Sequence, residues 1–488
     1  MSDPSDEPRP LHALGDRRLV GEPWGSVTGL LMFRGNPSRT WYGGGPVPSQ
    51  PDVSWRYPDR PMCTTEVIGH ETVTVTPSPA EPSPSPSGSP SGSPAPYETT
   101  RPITKQWCGS GWTGQPVVWE RPDGVTEVIF GAYDGAIHFL DAATGQATRP
   151  PFQTGDIIKG SVTLDPDGFP LLYAGSRDDR LRIIALDREA PTELWALEPH
   201  PQRVWNNDWD GNPVVVDGLL LEGGEDSWFY AVELNRGRDA DGRVQVEPQV
   251  LLRFPGWTDA LFGAVGDRNV SIESSVAVYE GRVYFANSGG RVVGLDLTEL
   301  RRTGEAPVVF DYWVGDDIDA TIVVDRDGML YVAVEYERQL PRAREVGQLV
   351  KLDPYREGDA RVWGVDVPPL RDDDDGGLWA TPALHDGIVY VTTHPGELLA
   401  VDTETGEVVY REDIGHHEWS SPVVVDDTLL IGLCETSGLR AYDVRDPRQP
   451  RELWTVRAGG CIESTPAVWG GRIHVGSRDG YFYTFTSD

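Results

Sequence analysis

The stretch Ala400-Val401-Asp402-Thr403-Glu404-Thr405-Gly406-Glu407-Val408-Val409-Tyr410 decides how this chain folds. An apolar segment ends at Asp402, a Thr-Gly pair follows, and a second short segment ends in an aromatic residue. Asp and Thr-Gly are turn formers, so the pattern predicts the last two strands of a small antiparallel sheet. The aromatic side chain is of the kind that packs between neighbouring sheets.

The same order of features recurs eight times along the chain. Each copy has a small polar or amide residue, two strands, a third strand that ends in most copies in an acidic residue, and then an aromatic residue. The first strands are predicted to begin at Pro116, Val162, Pro213, Val276, Ile322, Pro382, Pro422 and Pro466. The polar residues before them are Gln115, Ser161, Asn212, Ser275, Thr321, Thr381, Ser421 and Thr465.

Eight such repeats predict an all-β fold, an eight-bladed β-propeller of four-stranded antiparallel blades. The eighth repeat stops at Phe485-Thr486 without a fourth strand, whereas residues 53–57 form an unpaired strand before repeat one. We expect this N-terminal strand to pair with the last blade, which closes the ring. The predicted organisation is a leader at residues 1–52 packed on a propeller at 53–488, with a disordered Pro/Ser-rich insert at 76–100.

The stretch 400–410 resembles the docking motif of pyrroloquinoline-quinone (PQQ) propeller repeats, A-x-D-x-x-T-G-x-x-x-W, with Tyr410 in place of Trp. Leu140-Asp141-Ala142-Ala143-Thr144-Gly145 matches its first half, and Phe33-Arg34-Gly35-Asn36-Pro37 resembles the leader before the first blade. The resemblance covers roughly residues 30–488. It implies the PQQ-like propeller fold. Enzymes, assembly scaffolds and sensor domains all use that fold, so it leaves the function open.

The composition narrows the partners. A net charge of −34 disfavours nucleic acid and anionic membrane surfaces, and no apolar run approaches a membrane span. We expect a monomeric propeller with a protein partner, a basic one being compatible with the acidic charge.

The loops that enter the first strands of a propeller gather around its central channel on one face. Three residues before each predicted strand start, the side chains would form a rim around the channel mouth. Four carboxylates and two indoles there could bind a cation, a basic peptide or a flat ligand. The rim is predicted to consist of Lys159, Asp210, Glu273, Asp319, Trp379, Trp419 and Glu463, together with Thr113.

A metal site is a second expectation for this face. The loops that enter repeats six and seven carry an acidic run at 372–375 and a His-His-Glu sequence at 416–418. Adjacent loops could bring His416, His417 and Asp374 together as ligands. The alternative is that both loops are simply solvated.

Four cysteines are expected to form two disulfides. Cys63 and Cys108 bracket the Pro/Ser-rich segment, and Cys434 and Cys461 lie in neighbouring loops on one face. The pairs Cys63–Cys108 and Cys434–Cys461 would indicate an oxidising compartment. Because residues 1–8 do not resemble an export signal, an extracytoplasmic location requires a signal absent from this sequence, and a cytoplasmic one stays open.

The function expected from these features is a non-catalytic protein- or ligand-binding scaffold that needs no cofactor. One alternative, a quinoprotein dehydrogenase, would use PQQ and calcium near the axis, with Trp379 or Trp419 as the stacking platform. Against it, the adjacent cysteine pair common in those enzymes is missing. Another alternative is a sugar-binding or polysaccharide-active propeller that uses the two indoles.

Overall fold

The computed structural model describes residues 20–75, 97–111, 114–371, 374–415 and 417–487. These residues form eight antiparallel sheets arranged as an eight-bladed β-propeller, as predicted. Each first strand begins one residue after the predicted start. Blade 1 consists of Val117–Glu120, Thr126–Gly131, Ala136–Asp141 and Phe152–Gln153, and blade 2 of Thr163–Leu164, Leu171–Ala174, Leu181–Ala185 and Thr192–Leu197. Blade 3 consists of Val214–Val216, Leu219–Gly223, Trp228–Glu233 and Gln249–Pro255, and blade 4 of Ala277–Tyr279, Arg282–Ala286, Arg291–Asp296 and Val308–Trp313.

The second half of the ring repeats this plan. Blade 5 consists of Val323–Val324, Leu330–Ala333, Leu349–Leu352 and Arg361–Val365, and blade 6 of Ala383–His385, Ile388–Thr392, Glu397–Asp402 and Val408–Asp413. Blade 7 consists of Val423–Val425, Thr428–Leu433, Gly438–Asp443 and Arg451–Arg457, and blade 8 of Ala467–Trp469, Arg472–Gly476, Phe482–Thr486 and Asp52–Tyr57.

The strand Asp52–Tyr57 closes the ring, as the sequence predicted. It pairs antiparallel with Phe482–Thr486, with Val53 opposite Phe485 and Tyr57 opposite Phe482. The ring of Phe482 also stacks on Phe130 of blade 1, with centroids 3.9 Å apart. Closure therefore joins the two ends of the chain through both a strand ladder and the inter-blade core.

One hairpin, two short ribbons and three short helices lie outside the four-stranded blades. A long hairpin of Cys63–Val75 and Tyr97–Cys108 leaves the ring between blades 8 and 1. Two short ribbons pair Arg236–Arg238 with Val244–Val246 and Glu335–Tyr336 with Gly376–Gly377. The helices are α1 at Asp259–Val265, α2 at Leu300–Thr303 and α3 at Pro341–Val346. Most of the predicted insert, residues 76–96, lies outside the described residues, and 97–100 belong to the hairpin.

The polar residues that precede the first strands form a hydrogen-bonded belt around the channel. The backbone N–H of one blade's residue donates to the side-chain hydroxyl of the next blade's residue. Such hydrogen bonds run from Gln115 to Ser161, Asn212 to Ser275, Ser275 to Thr321, Thr321 to Thr381 and Thr381 to Ser421, at 2.8–3.1 Å. The repeated small polar residue thus satisfies buried backbone donors.

The part of the leader from Gly29 to Gly44 lies along the channel inside the ring. Its strands Gly29–Leu30 and Gly43–Gly44 pair with the first strands of blades 1 and 8. Between them, the fully buried Arg34 donates to the carbonyls of Thr381, Pro382 and Pro422. The leader therefore ties together blades that are far apart in sequence.

Arg39, in the same loop, binds the opposite side of the ring. It is fully buried and donates to the Val276 carbonyl at 2.8 Å and to Asn212 Oδ1 at 2.7 Å. Burial lowers the pKa of Arg39 to about 9. Among the described residues, both arginines donate to several carbonyl oxygens and form no ion pair within 4 Å, and Arg34 Nε has no hydrogen-bond partner.

Candidate functional site: the channel mouth

The predicted rim residues divide into two sectors at the mouth. In the sector of blades 2–5, Lys159 forms an ion pair with Asp210, and its ammonium lies 3.7 Å from Glu225. Glu273 accepts a hydrogen bond from the Ser288 hydroxyl at 3.4 Å, and that hydroxyl lies 3.4 Å from Asp319 Oδ1. The structure thus brings four predicted rim residues into one continuous network.

The sector of blades 2–5, called the acidic sector below, contains five further carboxylates that the sequence analysis had not identified. They are Asp208, Glu225, Asp317, Glu335 and Glu337. Oxygen atoms of Asp208, Asp210 and Glu225 lie within 4.8 Å of one another, as do those of Asp317, Glu335 and Glu337. Asp208 and Asp317 stand two residues before the rim positions. Glu225 and Glu335 each stand two residues after a second strand, a position the repeat alignment could have revealed.

Few cations face these carboxylates. Arg177 Nε lies 3.0 Å from Asp208, and Arg338 Nη1 lies 3.4 Å from Asp317. Within the described part of the chain, no ion pair is formed by Glu273, Asp319, Glu335 or Glu337 at 4 Å or less. Four buried oxygens in the sector also have no hydrogen-bond partner there: Asp210 Oδ1, Glu225 Oε1, Asp317 Oδ1 and Glu335 Oε1.

The crowding raises the pKa values of these carboxyl groups. Burial, reinforced by Asp210, raises the pKa of Asp208 to about 7. Burial, reinforced by Glu273, raises the pKa of Asp317 to about 8. The pKa values of Asp319 and Glu335 are also raised well above normal by burial and by neighbouring carboxylates. The raised pKa values favour the protonated form of these carboxyl groups, and a cation placed among them would favour the ionised form instead.

The sector of blades 6–8 is aromatic. Trp379 and Trp419 have ring centroids 6.2 Å apart, and His394 packs against Trp379 at 4.0 Å. The Trp419 indole donates to His394 Nδ1 at 2.9 Å, which leaves the proton of a neutral imidazole on Nε2. Glu463, the last rim residue, lies 3.4 Å from Arg478. Thr113 lies outside the described residues.

The hairpin reaches the mouth between the two sectors. The Trp107 ring, near its base, lies against the cations of Lys105, Arg177 and Arg478 at 3.8, 5.7 and 5.8 Å. Glu66, on the other hairpin strand, lies 3.4 Å from Arg177. The Cys63–Cys108 disulfide joins the two strands at this end. The hairpin is therefore anchored beside the acidic sector.

Two of the three predicted metal ligands line one cavity. His417 and Asp374 border a cavity of 360 Å³ together with His394 and Asp375. His416 lies outside the described residues. His417 and Asp374 alone are too few ligands to hold a metal ion, so this metal site stays a prediction.

Both expected disulfides are present. Cys63 is bonded to Cys108, with Cα atoms 4.2 Å apart, and Cys434 to Cys461, with Cα atoms 3.9 Å apart. Cys434 follows the second strand of blade 7, and Cys461 precedes the first strand of blade 8. The second disulfide therefore lies at the mouth, beside the aromatic sector.

The docking motif explains how the blades are joined. Asp402 Oδ1 accepts hydrogen bonds from Glu404 N, Thr405 N and the Thr405 hydroxyl at 2.9–3.0 Å, which shapes the turn before Gly406. The class that fold and repeats define is the eight-bladed propeller of PQQ-type repeats.

Comparisons with known proteins agree with this class. A family model described as "Outer membrane protein assembly factor BamB" matches residues 345–450. This match and the repeats together support the resemblance to PQQ-like β-propeller repeats. None of the curated proteins matches.

Solved structures share the fold at low identity. The quinohemoprotein alcohol dehydrogenase from Comamonas testosteroni has 12% identity and a TM-score of 0.56, with 97% of this chain and 81% of that chain covered. Sqt1 from Saccharomyces cerevisiae has 11% identity and a TM-score of 0.52, with 78% and 96% covered. BamB from Moraxella catarrhalis has 12% identity over 78% and 85%, with a TM-score of 0.38. At these identities, the likeness to the first two structures concerns the fold alone.

No helix within the described ranges is long and apolar enough to cross a membrane.

Proposed function

We propose that this chain is a non-catalytic binding scaffold whose acidic sector receives a basic side chain of a protein partner. The observation that carries the proposal is an excess of buried carboxylates over cations in this sector. Asp319 and Glu335 form no ion pair within the described residues, and Glu335 Oε1 is buried without a hydrogen-bond partner there. A buried carboxylate without a partner is unfavourable, and a cation placed among several of them removes that penalty.

Lys159 indicates which kind of cation suits the mouth. Its ammonium group already lies between Asp210 and Glu225, so the blade 2–3 part of the sector accommodates a lysine side chain. The blade 4–5 part has the same density of carboxylates, yet Asp319 and Glu335 have no ion-pair partner among the described residues. A lysine or arginine from outside would complete that half in the same way.

The alternatives have weaker support from the geometry. Trp379, a predicted stacking platform for a quinone or a sugar, is 7% exposed and packs against His394. A flat ligand would first have to displace that imidazole, so Trp379 does not fit a stacked PQQ as it stands. Absorbance of the purified protein tests for a quinone, and soaking with oligosaccharides tests for a sugar.

The compartment is part of the same proposal. Two disulfides favour an extracytoplasmic location, because cytosolic proteins are normally kept reduced. A partner with a basic segment would then meet the mouth outside the cytoplasm.

Titration calorimetry with tetralysine as the probe tests the proposal. We expect the unreduced protein to bind it, with affinity that falls as salt rises. The variant D319N/E335Q should bind at least about 10-fold more weakly, since one lost charge-assisted contact is worth about 1.4 kcal/mol or more. The matched control D386N/E404Q removes two exposed carboxylates away from the mouth and should bind like the wild type. Equal binding by D319N/E335Q and the wild type, or no binding by the wild type, would overturn the proposal.

A further inference from the structure

Ligand-type side chains converge around the disulfide at the mouth. A ring nitrogen of His417, the sulfur of Cys434 and a carboxylate oxygen of Glu463 all lie within 4.8 Å of one another. Cys461, bonded to Cys434, has its sulfur 3.7 Å from Glu463 Oε1. Two sulfurs, one imidazole and one carboxylate are thus gathered in a single place.

The positions of these side chains do not depend on the sulfur–sulfur bond alone. His417 and Glu463 lie in the loops that enter blades 7 and 8, and the His417 ring packs against Trp419 at 4.6 Å. Cys434 N donates to both carboxylate oxygens of the buried Glu418 at 3.0 Å. These contacts would keep His417 and the Cys434 backbone close to their present positions if the disulfide were opened.

The set of groups suits one metal in particular. Two thiolates, an imidazole and a carboxylate oxygen match the preference of Zn²⁺ for four sulfur, nitrogen and oxygen ligands. As a disulfide, the two sulfurs carry no thiolate charge and are poor ligands. We propose that reduction of the Cys434–Cys461 disulfide creates a zinc site formed by His417, Cys434, Cys461 and Glu463.

The chemistry of this switch balances with a dithiol as reductant. One thiolate of the dithiol attacks a sulfur of the Cys434–Cys461 bond, and its second thiol then releases the protein as two free thiols and leaves as a cyclic disulfide. Two electrons pass from the dithiol to the protein cysteines. Binding of Zn²⁺ then displaces the two thiol protons. Both cysteines are partly exposed, so a reductant can reach them.

Glu463 can serve the metal without losing its present contact. Arg478 Nε lies 3.4 Å from Oε2 of this carboxylate, and the other oxygen, Oε1, faces Cys461. The second disulfide provides a contrast, because the described residues place no metal-type group of three side chains around Cys63 and Cys108. This inference does not rest on the proposed binding of a basic partner, which concerns blades 2–5 and the unreduced protein.

The test uses the full chain. The protein is reduced with dithiothreitol, freed from it by anaerobic gel filtration, and titrated with Zn²⁺ in competition with a chromophoric chelator. A parallel titration with Co²⁺ reports thiolate ligation through sulfur-to-cobalt charge-transfer absorption. Circular dichroism checks that the reduced chain is folded.

We expect one tight zinc site per chain in the reduced protein and in reduced C63S/C108S, which keeps only Cys434 and Cys461. The variant C434S/C461S, which keeps the other pair, should lose the site and the cobalt charge-transfer band. H417Q and E463Q should each weaken zinc binding by at least about 10-fold.

Three results would overturn the inference. One is equal zinc binding by oxidised and reduced protein, and another is retention of the site in C434S/C461S. The third is a reduced chain that gains no zinc site, whether it stays folded or unfolds irreversibly. None of these results would bear on the binding of tetralysine by the oxidised protein, so the two proposals can be tested separately.

Discussion

The indole Nε1 of Trp363, in the fourth strand of blade 5, donates a hydrogen bond to the backbone carbonyl of Thr403 in blade 6 at 3.0 Å. Trp55 makes the equivalent bond from blade 8 to Ala142 of blade 1, also at 3.0 Å. The aromatic residue of one repeat therefore docks on the Asp-x-x-Thr-Gly turn of the next.

Substitution of Gly406 tests this docking. Gly406 has a φ of 74°, and an added Cβ would lie 2.7 Å from Cγ of Trp363. We expect Gly406→Ala to lower the free energy of unfolding by about 1 kcal/mol from the left-handed backbone and by a further 1–3 kcal/mol from the displaced indole. Urea unfolding measures the change. The control is Gly358→Ala, whose φ is 88° with open space around it. Equal losses in both variants would contradict the docking role.

The belt before the first strands gives a second prediction. Thr321 accepts a hydrogen bond from Ser275 N at 3.1 Å through its hydroxyl and is buried. Thr321→Val keeps the shape but leaves that buried N–H without a partner, so we expect a loss of about 1–3 kcal/mol. Thr303→Val, at the exposed end of α2, serves as the control. Thermal unfolding that is unchanged by Thr321→Val would remove the belt from the account.

Arg39 gives a third prediction. Arg39→Met removes hydrogen bonds to Val276 and Asn212 from inside the channel. Because those acceptors are buried, we expect unfolding to become easier by about 2–4 kcal/mol, whereas Arg302→Met on the surface should change it by less than about 0.5 kcal/mol. The denaturant midpoints of the two variants measure this difference. Equal midpoints would show that the hydrogen bonds of Arg39 to the ring are dispensable for stability.

The raised carboxyl pKa values predict an unusual pH dependence. Burial raises the pKa of Glu418 from 4.5 to about 8, so the folded state holds a proton that the unfolded state has released. The stabilisation from that proton is complete below pH 4.5 and is lost as pH rises through about 8. Carboxyl groups with lowered pKa values, such as Glu127, change the stability only at pH values below their ordinary pKa, so they do not affect this pH range.

The buried His474, whose pKa burial lowers to about 3, opposes this slope only below about pH 6.5. We therefore expect the melting temperature to fall between pH 6.5 and pH 8 at constant ionic strength. Glu418→Gln should flatten the slope, and Glu404→Gln, an exposed control, should leave it unchanged. A melting temperature that rises across this interval would show that the buried carboxyls are not protonated in the folded protein.

Much of the fold could be predicted from the sequence because a propeller repeats local rules. The turn at Asp402–Gly406 and the polar residue before each first strand mark contacts that recur from blade to blade. The unpaired strand at 53–57 supplies the fourth strand that repeat eight lacks. The hairpin of 63–75 and 97–108 could not be predicted, because a single ribbon has no repeat to align with and borders a Pro/Ser-rich tract.

The site was only half visible. The rim positions could be found because they share a spacing from the first strand. Glu225, Glu335 and His394 share a position two residues after the second strand, which a repeat alignment could reveal. That this position reaches the rim depends on the curvature of the blades. The convergence of His417 with Cys434 and Glu463 likewise depends on the packing of blades 7 and 8, not on sequence spacing.

The central claim is that protonated, crowded carboxylates at the mouth are exchanged for a cationic side chain. Calorimetric titration of the unreduced protein with tetralysine at pH 6.5, in two buffers of different ionisation enthalpy, measures the protons released on binding. The account predicts net proton release that diminishes in D319N/E335Q, because an ammonium group lowers the pKa of its carboxylate neighbours. Binding without proton release, or release that D319N/E335Q leaves unchanged, would contradict it.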